Sequence, residues 1–132
     1  MNKSLFILSS LILISCNYDT TTSKFDDYKS AVKMNIFEQG WIPNSLINEN
    51  MKNIYVKNNL DTNEFFFYYN IPKKEIYKLE KKLTPITNKN VTIPKEFSLS
   101  KTELKKYLLI EKNDSINIAL DLKNNLVYGW EL

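Results

Sequence analysis

Glu64-Phe65-Phe66-Phe67-Tyr68-Tyr69-Asn70 is the stretch on which the fold turns. Side chains in a strand point alternately to opposite faces, so Phe65, Phe67 and Tyr69 take one face and Phe66 and Tyr68 the other. A strand apolar on both sides is expected at the centre of a sheet, or under helices on one side. Asp61-Thr62-Asn63, just before it, reads as a turn, because short polar side chains bond nearby backbone and tolerate left-handed geometry. Upstream of that turn, residues 52–59 alternate, with Ile54 and Val56 on one side and Tyr55 and Lys57 on the other. They read as the strand that pairs with the aromatic one.

Working outward, Phe25, Tyr28, Val32 and Ile36 recur every three to four residues, which predicts a helix. Ser23 with Asp26 resembles a capping box at its start, and Gly40 stands where a helix C-cap belongs. Trp41-Ile42-Pro43 follows as an extended piece, since Pro43 disfavours a helical Ile42. On the other side, Pro72 opens a second helix over roughly 72–83, with Ile76, Leu79 and Leu83 inward and lysines outward. Pro85 closes it, and residues 86–99 form a long connection with one short strand near Val91-Thr92-Ile93. Ser100 and Glu103 are spaced as another capping box, opening a short third helix through Leu104 and Tyr107. Leu108–Lys112, Ile116–Leu122 and Leu126–Trp130 read as strands joined at Asn113-Asp114 and Lys123-Asn124-Asn125, whose chemistry suits hairpin turns. The expected fold is α+β, a single antiparallel sheet of about five strands with two or three helices packed on it. No internal repeat is visible, and residues 24–132 read as one domain.

The first residues read as an address. Lys3 precedes an apolar run over Leu5–Ile14, and a small residue, Ser15, follows, which is the plan of a secretory signal peptide. A membrane span needs roughly 20 apolar residues, about twice this run. A plain secretion signal is the nearer competitor. Leu13-Ile14-Ser15-Cys16, which holds the only cysteine of the chain, resembles a bacterial lipobox. That resemblance implies a signal peptide over 1–15, cleavage before Cys16, and acyl chains, such as palmitate, on Cys16. Residues 16–23 become the lipidated cysteine and a polar tether. Several acyl chains together hold a protein stably at a bilayer. The expected location is the cell envelope. Asn17, where Asp would retain the protein at the inner membrane, favours the outer membrane in a Gram-negative cell.

Composition removes whole classes of chemistry. There is no histidine, which excludes Ser-His-Asp and Cys-His catalysis and imidazole metal sites. Cys16 is committed to lipid, so no thiol nucleophile, disulfide or thiolate cluster remains. All 18 basic residues are lysines, and the formal net charge of +3 falls by one when Lys3 is removed. Without arginine forks, and after export, nucleic-acid binding is not expected. Carboxylate-only enzymes, Ser-Lys hydrolases and all-oxygen calcium sites survive this filter.

Phe37-Glu38-Gln39-Gly40-Trp41-Ile42-Pro43, followed by Ile54 and Leu60-Asp61-Thr62-Asn63, resembles a group of uncharacterised small bacterial lipoproteins. The group has a Gly-Trp-Ile/Leu-Pro segment and a downstream Asp-x-Asp-Thr-Asn-like turn, whose first acid is here Asn59. The resemblance spans Ile36 to Asn70 and implies a small exported α+β domain with no activity or cofactor attached.

Individual candidates each have a plain structural reading beside the functional one. Trp41 could line a ligand groove or pin the first helix to the sheet. Asp61, Asn63 and Glu64 could ligate calcium, though a hairpin turn uses the same residues and no twelve-residue loop follows. Glu38, Glu64 and Asp121 could supply carboxylates for glycosidic chemistry, but nothing in the sequence joins them. Ser45, Ser98 and Ser100 lack Ser-x-x-Lys spacing. No catalytic, cofactor or metal residue is therefore assigned. Phe66 and Tyr68, with Trp41, form the expected interaction surface, because an aromatic face not covered by helices wants a partner. The leading functional expectation is a non-enzymatic envelope module that binds another envelope protein, in an inhibitor, immunity or assembly role. The alternative is a glycan- or peptidoglycan-binding or -acting protein that uses Trp41 and surface carboxylates.

Overall fold

A computed structural model of the chain describes residues 20–87, 94–95, 104–111 and 114–131. The expected signal peptide with Cys16, the strand expected at 91–93, and Ser98 and Ser100 lie outside the described residues. Those described form seven strands: β1 (Thr20–Asp27), β2 (Lys52–Asn59), β3 (Glu64–Asn70), β4 (Thr84–Pro85), β5 (Lys105–Glu111), β6 (Asp114–Asp121) and β7 (Leu126–Glu131). They make one antiparallel sheet in the order β1-β2-β3-β7-β6-β5-β4. Two meanders thus meet at the β3–β7 seam. The helices among them are α1 (Tyr28–Lys33) and α2 (Lys73–Glu80), with 3-10 turns at Phe37–Gln39 and Asn44–Leu46.

The expected architecture of about five strands is corrected to seven by the addition of β1 and β4, and β5 starts three residues earlier than expected. Thr20 to Asp27 is a strand, where a tether and then a helix from Ser23 were expected. Threonines are β-branched and favour extended backbone, and an edge strand needs little hydrophobicity. The helix starts four residues later. Asp27 accepts from the Ser30 N–H at 2.8 Å, and its own N–H donates to Ser30 Oγ at 3.3 Å, a reciprocal cap that turns strand into helix. The second correction is the early end of α2 at Glu80, after which Thr84–Pro85 pairs with Leu108 and Tyr107. The third is Tyr107, expected in a third helix and found inside β5, opposite Ile118.

Both helices pack on one face of the sheet. Ala31 from α1, Ile76 from α2, and Ile36, Ile42 and Leu46 from the connecting corner close over Ile54, Val56, Phe67, Tyr69, Ile118, Leu120 and Val127. The Tyr69 hydroxyl, inside this core, donates to the Leu46 carbonyl at 2.9 Å. Its burial raises its pKa, so it stays a neutral donor. Gly129 faces Phe67 across the seam, and a Cβ there would land on the Phe67 ring. Glu80 ties α2 to β5, accepting from Lys105 Nζ and from the Tyr107 hydroxyl, each at 2.7 Å. Those two hydrogen bonds, with the Lys105 charge, hold its carboxyl below the usual glutamate range against some desolvation.

Candidate functional site

The opposite face of the sheet carries Tyr55, Phe66, Tyr68, Tyr128 and Trp130. The register sets Tyr55 against Tyr68, Phe66 against Trp130, and Tyr68 against Tyr128. Their rings form a ladder: Tyr55 stacks on Tyr68 at 4.9 Å and on Phe66 at 5.7 Å, and Tyr68 meets Tyr128 at 6.1 Å. Lys24 Nζ stands 5.6 Å from the Tyr55 ring centre and Lys57 Nζ 5.2 Å from that of Phe66. Ala119, Tyr128 and Trp130 form a small buried cluster on this face, with Phe66, Tyr68, Leu104 and Leu126 half-buried against it. Burial pushes the Tyr128 hydroxyl up to about 12, with smaller contributions from the Asp121 carboxylate and Tyr68.

At one end of this face a hollow of about 340 Å³ is bounded in part by Lys57, Asn58, Asn59, Glu64, Phe66 and Trp130. Glu131 lines it as well, and Asn58, Asn59 and Glu64 are already engaged. Asn58 accepts from Thr21 Oγ1, and Asn59 accepts from the N–H groups of Asp61 and Thr62. Glu64 accepts from Thr62 Oγ1 at 2.9 Å. The first of these bonds ties β1 to β2, and the others hold the β2–β3 hairpin turn.

Trp41 lies on the helix-covered side, so the structure does not unite it with Phe66 and Tyr68. Gly40, at φ +80°, ends the 3-10 turn and delivers Trp41 beside Phe65, ring centres 6.0 Å apart and planes at 48°. The β3–β7 ladder begins at Phe66 and Trp130, leaving Phe65 beyond it. In the notch so formed is an open cleft of about 500 Å³, lined by Gln39, Gly40, Trp41, Asn63, Phe65, Asp114, Ser115, Ile116 and Glu131. Gln39, Asn63, Asp114, Ser115 and Glu131 spend no side-chain hydrogen bond on another described residue. Two acceptor-only carboxylates, two amides and a hydroxyl therefore face the cleft beside an aromatic wall.

The other sequence candidates have structural duties. Asp61, Asn63 and Glu64 belong to the hairpin turn, Asn63 at φ +56°. No group of three potential metal ligands occurs among the described residues. Glu64 and Asp121 sit at opposite ends of the sheet: Asp121 is level with Asn70 through Leu126, six residues along β3 from Glu64, about 20 Å. Asp121 is buried and accepts from the N–H groups of Lys123 and Asn124 and from Asn124 Nδ2, closing the β6–β7 turn. Glu38 is exposed on the first 3-10 turn. Ser45 donates to Glu111 Oε2 at 2.5 Å. Asp114, Ser115 and Glu131 were not singled out from the sequence. Only strand order brings them to Trp41, although alternation along Leu126–Glu131 already places Glu131 on the Val127 face.

Residues 19–70 match the YbbD head domain. The YbbD-head match takes in β1, α1, the Trp41 corner, β2 and the aromatic strand β3. The match attaches no role to the chain. It stops before Asp114, Ser115 and Glu131, so the cleft is half inside the YbbD-head segment and half outside it. No curated protein matches the chain, and no solved structure does. No helix among the described residues is long and apolar enough to cross a membrane.

Proposed function

We propose that this chain is a lipid-anchored, non-enzymatic binding module of the cell envelope, which docks another envelope protein in an inhibitor, immunity or assembly role. The observation that carries the reading is the ladder of Tyr55, Phe66 and Tyr68 on the face opposite the helices, flanked by Lys24 and Lys57. Half-exposed aromatics bring large contact area at small entropy cost, and they are the residues on which interface energy concentrates. The Leu13-Ile14-Ser15-Cys16 motif and the YbbD-head match support the envelope setting. The absence of histidine from the sequence, and of any thiol but Cys16, supports a binding role over a catalytic one.

The test is site-specific photocrosslinking in the native cell. A photoreactive phenylalanine at Tyr68 should give one discrete adduct, and the same group at Tyr77, exposed on α2, should not. Equal smears at both sites, or none, would overturn the protein-partner reading. The anchor has its own check. The protein should take up a palmitate label that Cys16→Ala abolishes, and no label, or labelling that survives the change, would sink the lipid anchor.

A further inference from the structure

We propose that the Trp41 cleft is a saccharide-binding subsite, taking one ring of a neutral gluco-configured oligosaccharide. Such a sugar, its substituents equatorial, has flat C–H faces that lie against an aromatic wall and hydroxyls that donate and accept around its edge. The cleft offers the complement to both. Trp41 and Phe65 make the wall. Asp114 and Glu131 accept from hydroxyls, Gln39 and Asn63 donate and accept, and Ser115 does either. An ammonium ligand only donates, so it would use the carboxylates and leave the amide N–H groups idle. The volume of about 500 Å³ lies in the range of small-ligand sites.

The cleft shares Phe65 and Glu131 with the hollow beside Phe66. Its other polar groups are uncommitted among the described residues, whereas Asn58, Asn59 and Glu64 of the hollow tie β2 to β1 and hold the β2–β3 turn. The cleft lies on the opposite side of β3 from the Phe66–Tyr68 ladder. The proposal therefore stands or falls independently of the protein-partner reading.

Cellotriose and tri-N-acetylchitotriose, both neutral and each titrated to about 10 mM, are the probes, with the indole N–H resonances as reporters. The two tryptophans make the experiment internally controlled. The Trp41 signal should move saturably, with a Kd of about 1 mM or tighter, while the buried Trp130 signal stays in place. Glu131→Gln should weaken binding about tenfold, and Trp41→Ala should abolish it with the sheet resonances unchanged. Should Trp41→Ala not fold, Glu131→Gln at the rim carries the test alone. Because the ligand is neutral, binding should survive about 0.5 M salt. Silence with both sugars overturns the proposal. So does a response to trilysine alone that salt removes, which would mark a site for a cationic peptide.

Discussion

Gly129 and Glu80 show how single residues set the tolerances of this sheet. Phe67 lies across the Gly129 backbone, so Gly129→Ala must push a fully buried ring out of the core. The expected cost is about 3 kcal/mol, read as a lower midpoint in urea with the slope unchanged. Glu80 makes its contribution through charge. Its pKa is lowered in the folded state, so the stability it adds is full above the ordinary glutamate range, about 4.3, and is lost as pH falls through the lower folded value. Melting at neutral pH and near pH 3 should therefore differ less in Glu80→Gln than in the parent. Neither role is visible in the sequence. That Phe67 meets Gly129, or Glu80 meets Tyr107, follows only from which strands and helices become neighbours.

Strands β2 and β3 were legible to the residue, because alternation and a run of aromatics are strong local signals and the Asp61-Thr62-Asn63 turn between them is short. Strand β1 was not, since Phe25, Tyr28, Val32 and Ile36 satisfy a helical period across a junction. In the structure Phe25 is a strand residue and Val32 is 44% exposed. The periodicity was real, but it joined two elements that Asp27 separates. At the other end of the sheet, the β6–β7 turn depends on Asp121, whose carboxylate takes three hydrogen bonds. Asp121→Ala leaves turn donors without an acceptor, and should cost about 2 kcal/mol in chemical denaturation. Asp121→Asn should recover part of that loss.

For the molecule as a whole, the sequence disclosed a single antiparallel sheet and its C-terminal hairpins, but not the insertion of β7 between β3 and β6. Pairing between distant segments leaves no trace in local pattern, so Trp41 is visible in the sequence but the cleft that strand order builds around it is not. Strand order predicts a gradient of protection against amide exchange. β3, β7 and β6, paired on both sides, should exchange last, and β1 and β4, at the edges, first. A β1 as protected as β7 would mean that its outer edge is paired in solution. The β3–β7 seam also imposes a schedule. β1, β2 and β3 emerge early, and the strand that completes β3 begins only at Leu126, some seconds later at about 5–20 residues per second. Throughout that interval the most aromatic strand of the chain has one open side. Any other strand that reaches it first, including one from a second copy, competes for the place of β7, so the yield of correctly folded protein should fall as more copies are made at once.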